Sequence, residues 1–168
     1  VIAVLALLVL CLTGCQESTE AKYARAQKQM TEKKYEEAIK VFDEISTYED
    51  SSKMAMYGKS ILAAEAGNYQ TAFSGFSSLG DYKDCPMMIT YYTARQYEGQ
   101  ANDSNWSPLI HAAETYDYVA LFLDSQERAA ACRKSVYDHA VHYAETMQYA
   151  QSVEMLGALR DYQDSAQL

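Results

Sequence analysis

The sequence has few of the residues that build turns or bind nucleic acid. Only two of its 168 residues are proline and seven are glycine, which leaves little room for the many turns of an all-β fold. Lysine and arginine total 14 against 23 aspartates and glutamates, so the formal net charge is −9. Nucleic-acid binding needs clustered basic side chains against phosphate, and this balance disfavours it. The same charge argues against electrostatic adhesion to anionic lipid.

Motifs of common enzyme classes are also missing. The sequence contains no glycine-rich phosphate loop and no Gly-x-Ser-x-Gly elbow. Histidine occurs three times, and His139, His142 and Glu145 follow one another at intervals of three. Three such ligands on one helix face could hold a metal, but a polar flank beside a core stripe explains them better, since no second cluster completes a site. We therefore predict a protein that is not an enzyme and needs no cofactor or metal.

An apolar segment opens the chain and leads to a cysteine. Residues 1–12 are apolar throughout, a length typical of a signal peptide and too short for a bilayer core, which needs about 20 residues. The segment ends in Leu12-Thr13-Gly14-Cys15. This pattern resembles the lipobox of bacterial lipoproteins, in which the cysteine receives a diacylglyceryl group and the signal is cut just before it. An ordinary secretory signal or a buried strand is the alternative.

The lipobox resemblance implies a division of the chain. Residues 1–14 would be the signal peptide, residues 15–20 the lipidated Cys15 with a short tether, and residues 21–168 the folded domain. Acyl chains contribute about 0.8 kcal/mol per buried methylene, so two or three of them anchor a protein without a basic patch. The expected location is the extracytoplasmic face of a bacterial membrane. The chain lacks an initiator methionine and a basic first segment, so we expect its first residues to be missing.

The rest of the chain repeats itself four times around an aspartate. These anchors are Asp50, Asp84, Asp124 and Asp164, spaced 34, 40 and 40 residues apart. Similar residues recur fifteen, twelve, eight, five and two positions before each anchor. In chain order, they are Tyr35, Ala38, Phe42, Ile45 and Tyr48; Tyr69, Ala72, Phe76, Leu79 and Tyr82; Leu109, Ala112, Tyr116, Val119 and Phe122; Tyr149, Ser152, Leu156, Leu159 and Tyr162. Fixed periods of this length are typical of stacked repeat proteins.

Each copy is predicted to be a pair of helices. Steps of three and four place the recurring residues on one face of a second helix, where the small residue allows close approach of a neighbour. The first helix is marked by apolar residues at helical spacing before the turn Gly67-Asn68. In the second copy they are Met54, Tyr57, Ile61 and Ala64.

Two insertions of six residues interrupt the period. Between Asp124 and Tyr149 the helical spacing continues, so the first helix there should be nearly two turns longer. Between Asp84 and Leu109 the composition of Gly99–Pro108 predicts a loop.

The anchor aspartates are predicted to be helix caps rather than ligands. Thr47–Asp50, Asp81–Asp84 and Asp161–Asp164 resemble capping boxes, with an acceptor side chain three residues before a carboxylate. Leu121–Asp124 lacks that acceptor. Pro86 belongs in a first helical turn, so the helix there could instead start at Asp84.

The turn and second helix resemble a known repeat family. Gly67-Asn68-Tyr69 followed by Ala72 and Phe76 is similar to a divergent tetratricopeptide repeat. The resemblance implies an all-α solenoid of about 3.5 to 4 stacked antiparallel hairpins whose first helices line a concave surface. The chain departs from the family in lacking its Trp-Leu-Gly, in replacing the end-of-repeat proline, and in its 40-residue copies. The Asp-Tyr-x-Asp-Ser ending also resembles repeats of surface lipoproteins of Gram-positive bacteria.

The folded domain contains two cysteines, Cys85 and Cys132. An extracytoplasmic location permits a disulfide between them, but their positions in separate repeats do not imply one. Cys85 takes the place that serine holds after the other three anchors, and Cys132 lies among alanines of a predicted helix. We expect both to be unbonded.

The predicted function is a scaffold that binds an unknown envelope protein or peptide. Candidate binding residues are Tyr91, Tyr92, Arg95 and Trp106, because tyrosines on first helices offer apolar area with a hydroxyl and the loop around Trp106 is the least repetitive surface. Packing between repeats is the alternative role of these tyrosines. The alternative functions are a glycan- or solute-binding lipoprotein that works with a transporter, and a hydrolase accessory or metal site at His139 and His142. Because the sequence stops just after a helix-opening signal, we expect it to continue beyond Leu168 or its last repeat to fray.

Overall fold

The computed structural model describes residues 17–166, and within them the protein is all-helical. Its helices are α1 (Thr19–Thr31), α2 (Tyr35–Glu44), α3 (Ser51–Glu65), α4 (Tyr69–Leu79), α5 (Cys85–Glu98), α6 (Ser107–Asp117), α7 (Ser125–Glu145) and α8 (Tyr149–Leu159). The described range contains no strand, only an isolated bridge between Asn102 and Asn105. The prediction of an all-α repeat-like fold is confirmed. The predicted signal peptide and Cys15 lie outside the described residues.

The chain forms two compact units, one up to Leu62 and one from Ala63 on, and the division falls inside α3. In the first unit α1 packs against α2, and Ala26, Ala38 and Phe42 are completely buried. A glycine lets α3 approach α2 closely: a Cβ placed on Gly58 would lie 3.0 Å from Cγ1 of Ile39.

In the second unit each helix from α4 to α8 packs against its neighbour in the chain. The small residues predicted to permit close approach, Ala72 and Ala112, are fully buried beside the large Phe76 and Tyr116. A further core cluster joins α7 and α8. It comprises Val136, Ala140, Met155, Leu156 and Leu159.

The periodic residues lie where the spacing predicts. The first-helix residues of the second copy are all buried, and the recurring residues of the second helices are buried or half-buried in every copy, with one exception. Tyr149 is the exception, because it is largely exposed at the start of α8. Helix α7 has 21 residues against 15 in α3, which confirms the predicted extension of six. The other insertion is a loop, although it ends at Trp106 because α6 starts at Ser107 with Pro108 in its first turn.

Candidate functional site

Three of the four anchor aspartates accept a hydrogen bond from a tyrosine, and the prediction of a helix cap is wrong for Asp84 and Asp124, the two anchors whose cap contacts the structure gives. Asp84 and Asp124 precede α5 and α7 at the cap position, but neither side chain makes a capping hydrogen bond. Instead, a tyrosine on the first helix of a hairpin donates its hydroxyl to the aspartate that follows the second helix. The pairs are Tyr23 with Asp50, Tyr91 with Asp124 (2.7 Å), and Tyr137 with Asp164. We call each pair a tyrosine–aspartate clasp.

Each clasp tyrosine also packs edge-on against the aromatic residue two positions before its aspartate. Ring centroids are 5.4 Å apart for Tyr23 and Tyr48, 6.1 Å for Tyr91 and Phe122, and 6.1 Å for Tyr137 and Tyr162. One clasp therefore joins the first helix of a hairpin to the turn that follows its second helix. This explains why an aspartate and an aromatic recur together in the sequence.

The residue after each anchor is small for a packing reason. Ser51, Cys85, Ser125 and Ser165 are all buried. The three serine hydroxyls have no hydrogen-bond partner among the described residues, so the position requires small volume and not a hydroxyl. A thiol fits equally well, as expected for Cys85. Cys85 and Cys132 are both free, which agrees with the expectation that they do not pair.

The clasp of the third copy extends into a charged network. Arg128 lies 2.9 Å from a carboxylate oxygen of Asp124 and 2.9 Å from one of Glu98. The Cys132 thiol lies 3.4 Å from Glu98, and burial together with that carboxylate raises the pKa of the thiol to about 12. Burial alone would raise the pKa of Asp124, but the hydrogen bond from Tyr91 and the charge of Arg128 outweigh it and lower the pKa.

The four predicted binding residues do not form one site: Tyr91, Tyr92 and Arg95 lie on α5, and Trp106 packs on another cluster. Tyr91 is only 5% exposed and belongs to the clasp just described. Tyr92, 3% exposed, stacks on Phe76 and donates its hydroxyl to Glu65 at 2.7 Å. Arg95 reaches the same carboxylate at 3.5 Å. These contacts give both tyrosines the packing role that was the alternative to binding.

Trp106, the fourth of these residues, lies apart from the other three. It precedes α6, is half-buried, and packs against the core cluster of α7 and α8. A binding role for these four residues stays a prediction, and the two buried tyrosines could serve it only by supporting other side chains.

An open groove lies beside α6 and the end of α8. Its volume is about 590 Å³, and it joins aromatic, carboxylate and guanidinium groups that sequence reasoning did not select. Lining residues are Tyr97, His111, Glu114, Thr115, Asp117, Tyr118 and Arg160. The Tyr97 and His111 rings are 5.7 Å apart, and Arg160 lies 4.0 Å from Glu114 across the groove. This arrangement offers apolar, hydrogen-bonding and ionic contacts to a peptide, without a nucleophile paired to a base.

The histidines of α7 line a second, smaller cavity. His139 and His142 share a space of about 340 Å³ with Asp103 and Tyr143. Between residues 17 and 166, no group of three or more histidine, cysteine, aspartate or glutamate side chains is arranged to hold a metal ion. Over the same residues, no helix has both the length and the apolar character needed to cross a membrane.

Comparison with known proteins adds no relative. The chain matches no protein-family model, no curated protein and no solved structure.

Proposed function

We propose that this protein is a non-catalytic binding scaffold of a bacterial envelope, a divergent tetratricopeptide-like array held at the membrane by lipid on Cys15. The repeated hairpins and the Gly-Asn-Tyr turn support the family likeness, and the apolar segment with Leu12-Thr13-Gly14-Cys15 supports the anchor. The ligand we propose is a segment of another envelope protein. Glycan or solute binding beside a transporter is the alternative.

The groove beside α6 is the observation that carries this proposal. Three anchor aspartates and their tyrosine partners on first helices are used in clasps, so they hold the hairpins together rather than face a ligand. The side chains of the groove are instead open to a ligand. Tyr118 and Arg160 are each more than four-fifths exposed, and the Glu114 carboxylate is half exposed. Exposed aromatic and arginine side chains beside a concave surface are typical of protein-binding sites.

Site-specific photo-crosslinking in cells tests the groove. A photo-reactive phenylalanine replaces His111 in one variant and Thr71 in the other, which is the equivalent exposed position of the second copy, thirteen residues before its anchor. We expect one discrete protein adduct from position 111 and none from position 71. Equal labelling from both positions, or no protein adduct from position 111, would contradict the proposal.

Membrane fractionation tests the anchor separately. The Cys15→Ser variant should move from the membrane pellet to the soluble or secreted fraction, since position 15 then has no thiol to carry acyl chains. Retention of this variant on washed membranes would rule out the lipid anchor while leaving the groove untouched.

The glycan alternative has its own signal. Because Trp106 is the only tryptophan, oligosaccharide binding near α6 would change its fluorescence. Saturable quenching by sugars, together with no crosslinked protein, would replace the scaffold proposal with the glycan one.

A further inference from the structure

The turn between α6 and α7 exposes three large apolar side chains within six residues. Leu121 is 98% exposed, Tyr118 is 85% exposed and Leu123 is 59% exposed. We call these three residues the apolar turn. A single exposed leucine is ordinary, but a contiguous apolar group marks an interaction site more often than chance exposure does.

The other three copies of the repeat provide an internal comparison. Three residues before the anchor, where this copy has Leu121, the others have polar residues, and the same is true one residue before the anchor, where this copy has Leu123. The counterparts are Thr47, Asp81 and Asp161 for Leu121, and Glu49, Lys83 and Gln163 for Leu123. Tyr118 in turn replaces Glu44, Ser78 and Ala158.

The apolar residues are not needed to form the turn. Leu123 has a left-handed backbone with φ of 51°, and its counterparts Glu49, Lys83 and Gln163 have φ of 47°, 53° and 52°. All four copies therefore adopt the same conformation at this position, whether its residue is apolar or polar. Folding explains the backbone of the turn but not its two leucines.

The surroundings of the apolar turn are acidic. Glu114 and Asp117 line the groove together with Tyr118, and Glu127 is exposed on the first turn of α7. Asp161 is exposed beside Arg160 at the end of the groove. Within the described chain, no ion pair engages Glu127 or Asp161, whereas Arg133 faces Asp117 and Arg160 lies 4.0 Å from Glu114. An anionic lipid surface would be repelled here, and basic groups would be attracted.

From this pattern we propose that the apolar turn is a docking surface for a basic amphipathic helix of a partner protein. The apolar face of that helix covers Tyr118, Leu121 and Leu123, and its lysines or arginines meet the carboxylates of Glu127 and Asp161. Amphipathic helices are commonly recognised in this way, by an apolar strip beside complementary charge. This proposal rests on the proposed scaffold function, since it specifies the chemistry of the partner beside the same groove.

The test uses a variant in which the two leucines of the apolar turn are replaced by the polar residues of the equivalent turn in another copy of the repeat. Leu121→Asp with Leu123→Lys reproduces the residues at Asp81 and Lys83 and leaves the net charge unchanged. The matched control, Asp81→Leu with Lys83→Leu, adds two leucines to the other turn and is also charge-neutral. The full-length lipidated protein is held in phosphatidylcholine nanodiscs. The probe is a fluorescently labelled 14-residue peptide with leucines at helical spacing and lysines elsewhere. Its binding is measured by fluorescence anisotropy, and the signal obtained with empty nanodiscs is subtracted.

We expect the wild type to bind the peptide at least tenfold more tightly than the Leu121→Asp/Leu123→Lys variant. Peptides with serine in place of leucine, or glutamate in place of lysine, should bind no better to the wild type than to that variant. Circular dichroism should show the same helix content for both proteins.

Three results would overturn the proposal. One is equal peptide affinity of the wild type and the polar-turn variant. Another is a gain of affinity in the Asp81→Leu/Lys83→Leu control, because any exposed leucine pair would then suffice. The third is that the wild type exceeds the variant only in binding phosphatidylglycerol vesicles, which would assign the turn to a membrane. Since the crosslink at position 111 is read independently, the scaffold function can survive any of these results.

Discussion

Removing one hydroxyl from a clasp should weaken the fold without changing its shape. In Tyr91→Phe the ring stays, and with it the edge-on contacts to Tyr92, Tyr116 and Phe122 at 5.2, 5.7 and 6.1 Å. The variant loses the 2.7 Å hydrogen bond to the carboxylate of Asp124 and the interaction of the hydroxyl with Arg128.

The size of the loss follows from what surrounds that carboxylate. A hydrogen bond to a charged group contributes about 1.5–3 kcal/mol to the free energy of unfolding. Asp124 keeps Arg128 at 2.9 Å, and its side chain is 44% exposed, so water can replace the lost donor. We therefore expect Tyr91→Phe to lower the free energy of unfolding by about 1.5–2 kcal/mol, at the low end of this range.

Urea unfolding measures this change with two probes. Circular dichroism follows all helices, and the fluorescence of Trp106 follows the core of α7 and α8 against which it packs. Tyr118→Phe is the matched control, because that tyrosine is 85% exposed and its hydroxyl should contribute less than about 0.5 kcal/mol. If both variants change stability by the same small amount, the clasp does not stabilise the hairpin. In a double-mutant cycle with Asp124→Ala, a coupling below about 0.5 kcal/mol would refute the pairing itself.

Two more predictions concern pH and the core. The hydrogen bond to Asp50 raises the pKa of Tyr23 to about 12, above the ordinary value of about 10, so its contribution to stability is complete below about pH 10 and is lost as the pH rises towards 12. Urea midpoints across this alkaline range should fall less steeply in Tyr23→Phe than in wild type, and parallel curves would exclude this linkage. Met155→Ala should lower the unfolding free energy by about 2–5 kcal/mol because the side chain is fully buried, whereas Met147→Ala, at a largely exposed position, should change it by less than about 0.5 kcal/mol. Similar urea midpoints for the two methionine variants would contradict the packing of α7 on α8.

The helices could be predicted from the sequence because their signals are local. Ala72 and Phe76 lie on one face of a helix whatever surrounds it, and burial of that face follows from the spacing. The extension of α7 was equally accessible, since helical spacing continues from Ala129 to Ala140 without a break.

The role of the aspartates could not be read from local spacing. A carboxylate beside a helix start suggests a cap, while its actual partner stands 27 residues earlier in two clasps and 33 earlier in the clasp that spans the loop. The signal was present in the sequence: Tyr23, Tyr57 and Tyr137 each precede an anchor by 27 residues. Helical spacing does not reveal this pairing, because each tyrosine and its aspartate lie on different elements of the hairpin.

The candidate surface was missed for a related reason. Periodicity places Tyr91 and Tyr92 on a first helix but does not show which side of that helix packs against a neighbour. Only the structure shows that both tyrosines are buried. The sequence shows that Leu121 and Leu123 depart from the capping pattern. Only the structure shows that both side chains are exposed to water. A residue that departs from the repeat indicates a function when the repeated fold does not require it.

We propose that the clasps stabilise the helical hairpins, whereas the apolar turn binds the partner protein. One titration tests it directly, with the lysine–leucine peptide added in parallel to Tyr91→Phe and to Leu121→Asp/Leu123→Lys. The claim predicts that Tyr91→Phe keeps the wild-type affinity despite its lower stability, while the polar-turn variant loses at least tenfold despite unchanged stability. The reverse order of affinities would contradict it.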